Sequence, residues 1–264
     1  MYKLIGAVRF VAALLYALAC IILVLVYLQW VPAAKKKNII RTWAATFIRI
    51  VGMQLKVEGQ IYDKPCLILA NHISFIDVFA LNAKKPGRFI AKSEIAGWPV
   101  FGKIAKGVDT LFIERKNHRS ILSVNEQISQ ALKQKQTIML FPEGRTSVGL
   151  TLLPLKSNLI EPAILSDTPV QPVALCYTEN GQKTTKASYA NIQIFACLWT
   201  IVSTPGLALT MKFLPVIDVT GKSRHEVAKE ASALMSEAMG VPDPMKDMPE
   251  PSRHHCDAIA QSVR

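Results

Sequence analysis

The sequence predicts an α/β protein whose largely parallel mixed sheet is flanked by helices and preceded by an N-terminal membrane-anchoring helical segment. Three features lead to this prediction: residues 10–34 carry no charged side chain, residues 66–176 alternate short apolar runs with helical stretches, and the formal net charge is +12 over 264 residues. Apolar runs of about four to eight residues that alternate with helices of about ten to fifteen indicate a parallel sheet covered by helices.

The uncharged stretch at residues 10–34 is longer than the roughly 20 apolar residues that cross a hydrocarbon core as a helix. A cleaved signal peptide is the competing interpretation, but its apolar region is usually shorter, and Tyr27 and Trp30 suit a membrane interface. We therefore expect a retained membrane helix. More basic residues follow this helix than precede it, which places the rest of the chain on the cytoplasmic side of the cell's inner membrane. They are Lys35, Lys36, Lys37 and Arg41, against Lys3 and Arg9 before it.

A second helix is predicted over residues 38–56, because apolar residues recur there at helical spacing. They are Ile40, Trp43, Phe47, Ile50 and Val51. Such a face either packs in the core or lies in the plane of the membrane interface, and the neighbouring membrane helix favours the interface. Residues 1–58 are thus expected to form the membrane helix and an amphipathic interfacial helix.

From residue 59 to residue 240 the pattern predicts one α/β domain. The predicted strands are Cys66–Ala70, Arg88–Ala91, Thr110–Ile113, Thr137–Phe141 and Val170–Cys176. The predicted helices are Phe75–Asn82, Glu94–Ile104, Ser120–Lys133 and Ser157–Leu165.

The uncharged run at 187–211 is interrupted by Pro205 and Gly206. It is therefore expected to be a surface helix ending near Thr204 and a strand over Leu207–Ile217, not a second span. Residues 241–264 are rich in proline and polar residues, and we expect a flexible tail.

The positive charge implies an anionic partner, which is nucleic acid, a membrane surface or a phosphorylated substrate. No helix-turn-helix, zinc finger or RNP pattern occurs, so nucleic acid is excluded and the anionic membrane surface and phosphate remain. The cysteines form no CxxC pair and no metal-binding spacing, so no metal is expected. They are Cys20, Cys66, Cys176, Cys197 and Cys256.

The stretch "LILANHISFID" runs from a predicted strand directly into His72, with Asp77 five residues further on. Imidazole titrates near neutral pH, and a carboxylate bonded to its far nitrogen would fix the tautomer of a general base. In α/β folds, such sites lie outside the carboxyl ends of strands. A solvent-exposed histidine beside a helix N-terminal carboxylate is the alternative for this pair taken alone.

Two further strand ends carry polar residues that suit an anion. Arg115 follows one predicted strand, and Glu143, Gly144 and Arg145 follow another. Parallel neighbouring strands would gather these residues on one rim with His72. Two guanidinium groups can grip a phosphate bidentately, and a glycine lets a backbone amide approach a ligand closely.

The blocks "NHISFID", "GVDTLFIERK", "FPEGRTS" and "VQPVAL", in this order, resemble the glycerophospholipid acyltransferase family, the lysophosphatidic acid acyltransferases. The resemblance runs from residue 71 to about residue 174. It implies that a fatty acyl group passes from acyl-CoA or acyl-carrier protein to the free hydroxyl of 1-acyl-glycerol-3-phosphate, giving phosphatidic acid without a metal or other cofactor. His72 would be the general base and Asp77 its orienting partner. The glycerophosphate site would consist of Arg115, Glu143, Gly144 and Arg145.

One block departs from the family pattern, in which Thr-Arg-Ser is common where this chain has Arg145 before Thr146. Family members with altered third blocks include enzymes that resemble lyso-ornithine lipid acyltransferases, so that acceptor is the alternative. Lys92 and a backbone amide near Gly144 are expected to stabilise the oxyanion or contact the phosphate.

Two other classes of protein are alternatives to the acyltransferase. A serine-type lipid hydrolase would use Ser74, but no G-x-S-x-G motif occurs, and Ser74 is better interpreted as a helix N-cap. A non-catalytic lipid-binding protein would give no reason for His72, Asp77 and Glu143 at strand ends.

Overall fold

The computed structural model describes residues 2–99, 101–114 and 118–248. The first helix, α1 (Tyr2–Ile22), continues through a π-helical turn (Leu23–Tyr27) and a 3-10 turn (Leu28–Trp30). Val31 and Pro32 leave the helical conformation and separate it from α2 (Ala33–Ile50). The remaining helices are α3 (Ile76–Lys84), α4 (Phe101–Gly107), α5 (His118–Lys133), α6 (Glu161–Leu165), α7 (Ile194–Ser203) and α8 (Arg224–Met239). The strands are β1 (Gln54–Gly59), β2 (Leu67–Ala70), β3 (Arg88–Lys92), β4 (Leu111–Ile113), β5 (Ile138–Leu140), β6 (Val170–Glu179), β7 (Gln182–Lys183) and β8 (Leu207–Phe213).

The described residues form one eight-stranded sheet in the order β1-β8-β6-β2-β5-β3-β4, with β7 paired to β6 outside this path. The pairs β1–β8, β2–β6, β2–β5, β3–β5 and β3–β4 are parallel, whereas β8 and β7 each run antiparallel to β6. The predicted α/β class with a largely parallel mixed sheet is therefore confirmed. Strands β2 and β5 are neighbours, so their carboxyl ends meet at one edge of the sheet.

Apolar residues cover both faces of this sheet, as the nearly continuous apolar runs of its central strands require. Ile68 and Ala70 of β2 pack with residues of α2, α3 and α7 on one face. Leu67 and Leu69 point the other way and pack with residues of α5, α6 and α8. The two clusters make β2, which leads into His72, a fully buried and rigid support.

The second helix ends earlier than the sequence predicts. α2 stops at Ile50, and Gly52 adopts a left-handed conformation (φ 74°) that terminates it. The chain then enters β1, which pairs with β8, so the prediction of helix up to residue 56 was wrong. Period-two patterning in a short, largely exposed edge strand is weak, and this is why β1 was missed.

The apolar face of α2 packs inside the protein. Phe47 and Val51 are buried, and the Phe47 ring contacts Phe79 of α3 at a centroid distance of 4.3 Å. The part of this face that carries Phe47 and Val51 was expected to lie in a membrane interface, but it is covered by the protein itself.

Helix α1 is long and apolar enough to cross a membrane, by length and composition, and 17% of its most apolar window is buried. It packs on α7, where Gly6 allows close approach to Ser203 and the Phe10 ring meets Trp199 edge-on. One stripe of α1 stays exposed and is called the α1 stripe below. It consists of Leu4, Val8, Val11, Leu15 and Leu18. The surface helix that the sequence predicts to end near Thr204 is α7, which ends at Ser203.

Two C-terminal features differ from expectation. Helix α8 was not predicted, although Ser223 and Glu226 form a capping box at its start and Gly240 (φ 63°) ends it. Residues 241–248 pack against the domain instead of leaving it, since Met245 is buried and Asp243 accepts a hydrogen bond from Ser232. The rest of the expected flexible tail, 249–264, lies outside the described residues.

Candidate active site

The site is built on the turn between β2 and α3. Asn71 follows β2 directly, and its side chain accepts a hydrogen bond from the Leu175 amide (2.7 Å) and donates one to the Leu175 carbonyl (3.0 Å). This pairing extends the contact of β2 with β6 by one position beyond the strand. The next residue, His72, is thereby held at the edge of the sheet.

His72 and Asp77 meet, as the sequence predicts. Nδ1 of His72 lies 2.9 Å from Oδ2 of Asp77, and the same oxygen accepts hydrogen bonds of 2.8 Å from the amides of Ile73 and Ser74. The carboxylate thus closes the tight turn that brings two residues five positions apart into contact. A carboxylate only accepts, so Nδ1 carries the proton and Nε2 keeps a free lone pair.

Tyr177 of β6 completes the set of donors to the buried carboxylate. Its Oη donates a hydrogen bond of 2.7 Å to Oδ1 of Asp77. Burial, followed by the negative charge of Asp77, raises the pKa of Tyr177 well above its usual value of 10, so this hydroxyl remains a donor at working pH. Asp77 itself has no exposed surface.

Glu143 connects the loop after β5, called the β5 loop below, to the turn between β2 and α3 that carries His72, called the histidine turn below. Its Oε2 accepts a hydrogen bond of 2.9 Å from the His72 amide, and its Oε1 accepts one of 3.0 Å from the Leu153 amide. Burial raises the pKa of Glu143 to about 7 against these two hydrogen bonds, which act in the opposite direction. With 3% of its surface exposed, this carboxyl lies behind the site, away from the position in the glycerophosphate site that the sequence predicts.

The Nε2 side of His72 opens on a cavity of about 540 Å³. Residues of α1, α2, α3, β3 and α4 line it, and most of them are apolar, including Tyr16, Trp43, Phe79 and Ile104. This volume lies in the range of small-molecule sites. The wall contributed by α1 and α2 makes the N-terminal segment part of the site.

Gly144, Arg145 and Lys92 line the same cavity. Gly144 has a left-handed conformation (φ 74°), and its amide donates to the Phe141 carbonyl at 3.2 Å. Lys92 is paired with Glu94 at 2.7 Å. The Gly144 amide is thus bonded within its own loop, whereas the side chain of Arg145 is exposed.

The ammonium of Lys156 lies over Gly144, since a methyl group added to Gly144 would come within 3.1 Å of its Nζ. The sequence did not indicate Lys156, because it lies outside the four blocks that resemble the acyltransferase family. Arg115, predicted to bind the glycerophosphate, lies outside the described residues.

Two aromatic residues frame the imidazole. Phe141 stacks on His72 at a centroid distance of 4.1 Å and an interplanar angle of 15°. Tyr189, which the sequence did not indicate, places its Oη 3.4 Å from Nε2. It lies 117 residues from His72 in a loop without recognisable motif, so no local signal could have found it.

Ser74, the nucleophile of the hydrolase alternative, has no exposed surface. Its Oγ accepts a hydrogen bond of 3.3 Å from the Ile76 amide, but the N-cap of α3 is Phe75, so the prediction of Ser74 as the N-cap was wrong by one residue. A hydroxyl closed off from solvent and substrate cannot attack an ester, so this site does not support a serine-type hydrolase.

Comparison with known proteins gives consistent results. The Acyltransferase family model matches residues 48–176. The 1-acyl-sn-glycerol-3-phosphate acyltransferase of Neisseria gonorrhoeae is 40% identical over 181 residues, which cover 68% of this chain and 71% of that protein. The lyso-ornithine lipid O-acyltransferase of Pseudomonas aeruginosa is 28% identical and covers 74% of this chain and 76% of that protein.

A solved structure shares the fold. The crystal structure of the 1-acyl-sn-glycerophosphate (LPA) acyltransferase PlsC from Thermotoga maritima superposes with a TM-score of 0.71 at 20% identity, covering 95% of this chain and all of that one. The fold, the ordered blocks around His72 and these relatives define the class of protein as an O-acyltransferase. More particularly, the chain belongs to the lysophosphatidic acid (1-acyl-sn-glycerol-3-phosphate) acyltransferase family.

Proposed function

We propose that this enzyme transfers a fatty acyl group from acyl-CoA or acyl-carrier protein to the free hydroxyl of 1-acyl-glycerol-3-phosphate, giving phosphatidic acid for phospholipid synthesis. The observation that carries the proposal is the His72–Asp77 pair, whose imidazole lies on the wall of a largely apolar cavity. A base, an activated donor and a place for an acyl chain are the requirements of this reaction.

In the proposed mechanism, Nε2 of His72 accepts the proton of the acceptor hydroxyl as its oxygen attacks the thioester carbonyl. Asp77 stabilises the imidazolium that forms, since its Oδ2 lies 2.9 Å from Nδ1. When the tetrahedral intermediate collapses, the C–S bond breaks and the sulfur takes the proton back from Nε2. A positioned base of this kind supplies about 10²- to 10⁴-fold in rate.

One cation on the cavity wall and a second beside the adjoining glycine support a phosphate on the acceptor. Arg145 lines the cavity, and the Lys156 ammonium lies over the adjoining Gly144. The left-handed Gly144 keeps this approach open, because a side chain there would meet Lys156. A head-group phosphate at this loop would put the rest of the lysolipid within reach of His72.

A lyso-ornithine lipid is the alternative acceptor, favoured by the similarity to the Pseudomonas aeruginosa protein and by the position of Arg145 before Thr146. The two acceptors are distinguished by incubating membranes that carry the protein with labelled acyl thioester and each lysolipid in parallel. Product from lysophosphatidate supports the proposal, whereas product from lyso-ornithine lipid alone overturns it. Arg145→Ala combined with Lys156→Ala is expected to raise KM for lysophosphatidate and leave KM for the thioester unchanged.

We also propose that the enzyme works at the cytoplasmic face of the inner membrane. The α1 stripe supplies an apolar contact, and the net charge of +12 attracts an anionic surface by about 1 kcal/mol for each nearby basic residue. A lysolipid resides in the bilayer and the thioester arrives from the cytosol, so this position gives access to both. Protease protection of tagged protein in intact spheroplasts tests the orientation.

A further inference from the structure

The Tyr189 hydroxyl lies beside Nε2 of His72, the ring nitrogen that must meet a substrate. Its Oη lies 3.4 Å from Nε2, and its ring stands edge-on to His72 and Phe75 at centroid distances of 5.9 and 6.3 Å. Because Nδ1 is bonded to Asp77, the free lone pair on Nε2 accepts from the tyrosine hydroxyl. A distance of 3.4 Å is long for such a bond, so an incoming hydroxyl displaces it at little cost.

The backbone fixes the position of this tyrosine. The Tyr189 amide donates to the Ile73 carbonyl at 3.3 Å, and the neighbouring Ser188 hydroxyl donates to the Ser147 carbonyl at 2.8 Å. The Ser147 amide in turn donates to the His72 carbonyl at 2.7 Å. The loop that carries Tyr189, the histidine turn and the β5 loop are thus hydrogen-bonded to one another. These bonds pre-organise the Tyr189 hydroxyl.

We propose that Tyr189 is a catalytic residue whose hydroxyl binds the free hydroxyl of the acceptor lipid together with His72; this rests on the acyl transfer proposed above. The acceptor O–H donates to Nε2, and the Tyr189 O–H donates to one lone pair of the acceptor oxygen. The remaining lone pair is then directed at the thioester carbon.

Tyr189 undergoes no net chemical change in the acyl transfer. The C–O bond forms while the acceptor proton passes to Nε2, and the C–S bond breaks while that proton passes to the departing sulfur. Tyr189 keeps its own proton throughout. Its contribution is alignment, which is worth large factors in rate when the reacting atoms are held in an attack geometry.

Alignment by Tyr189 also favours the lipid hydroxyl over water as the acyl acceptor. A lipid hydroxyl anchored by its chain and head group sits between Tyr189 and His72, whereas a water molecule in this position has no such anchor. Without the tyrosine hydroxyl, the lipid is held less well and water attacks the thioester more often. The ratio of free fatty acid to ester product therefore reports on this role.

Tyr189→Phe tests the proposal in the full-length protein in lipid vesicles, with labelled acyl-CoA and lysophosphatidate. We expect kcat/KM for the acceptor to fall by about 10- to 100-fold, the ratio of free fatty acid to ester to rise, and KM for acyl-CoA to stay within about twofold. The ring contacts remain, so the melting temperature is expected to match the wild type. Tyr62→Phe, which removes a tyrosine hydroxyl from outside the cavity lining, is the matched control.

Two results would overturn the inference. The first is a Tyr189→Phe enzyme with wild-type transfer and an unchanged product ratio. The second is an equal fall of transfer and hydrolysis, which would assign the hydroxyl to the developing oxyanion instead of the acceptor. Neither result contradicts the proposed function. That function is contradicted only if the wild-type enzyme transfers no acyl group to lysophosphatidate.

Discussion

The Tyr177 hydroxyl donates a hydrogen bond of 2.7 Å to Oδ1 of Asp77, the oxygen that His72 does not use. The carboxylate is thus held from β6 as well as from its own turn. Removing this hydroxyl by Tyr177→Phe leaves a buried charged acceptor short of one donor. We expect a loss of about 1.5–3 kcal/mol in unfolding free energy, measured by denaturant unfolding.

The same variant is expected to lower kcat on the order of tenfold, because a less constrained Asp77 orients the imidazole less well. Tyr62→Phe again serves as the control for the substitution itself. A Tyr177→Phe enzyme with wild-type kcat would show that the other donors to Asp77 suffice to hold the dyad.

His72→Ala and Asp77→Asn are expected to differ in their effect on stability. Both should lower kcat by about 10²- to 10⁴-fold, because each removes part of the general base proposed above. Asp77→Asn also leaves only one acceptor oxygen where the carboxylate has two, so its NH2 group must face a donor, either the Tyr177 hydroxyl or the Ile73 and Ser74 amides. The variant should therefore additionally cost about 1–3 kcal/mol in unfolding free energy. Equal stability of the two variants would contradict the structural role assigned to the carboxylate.

The pKa of Glu143 predicts a pH dependence of stability. Burial raises this pKa from 4.5 to about 7, so the folded protein holds a proton that the unfolded chain has released between these values. The contribution to stability is therefore complete below about pH 4.5 and is lost as pH rises through 7, over a range worth about 3 kcal/mol.

Glu143→Gln cannot titrate and isolates this effect. The unfolding free energy of the wild type minus that of Glu143→Gln should fall between pH 5 and pH 8. The exposed Glu126→Gln is the control for the substitution itself. A constant difference over this range would mean that the two backbone hydrogen bonds to the carboxylate offset its burial.

The cavity predicts a limit on acyl chain length. Ala44 of α2 is buried and lines the cavity. We propose that this cavity holds the transferred acyl chain, and Ala44→Phe would fill part of it. We expect kcat/KM to fall for long acyl thioesters and to be retained for short ones, measured across a series of donors. The short donors provide the control within one variant, and an equal loss for all lengths would place the chain elsewhere.

The α1 stripe predicts a membrane contact. Leu15→Asp, at a residue 62% exposed, should weaken co-sedimentation with vesicles that contain anionic phospholipid. Leu122→Asp changes an exposed leucine on α5 and should leave binding unchanged. Equal binding of both variants would show that the charge of the protein, and not this stripe, holds it at the bilayer.

The sequence by itself determined the α/β class, the position of His72 and Asp77 at a strand end, and the apolar N-terminal helix. Each of these follows from residues within one strand, one turn or one helix, where local periodicity and hydrogen bonding set the conformation. The His72–Asp77 contact is of this kind, because the turn between the two residues is closed by the carboxylate itself.

Only the tertiary structure decided which distant residues join the dyad. Tyr177 and Tyr189 lie 100 and 117 residues from their partners Asp77 and His72. The order of the strands brings these residues to one edge of the sheet, and no short sequence pattern encodes that order. The buried position of Glu143 has the same cause, since its two donors come from two different loops that meet only when β2 and β5 pair.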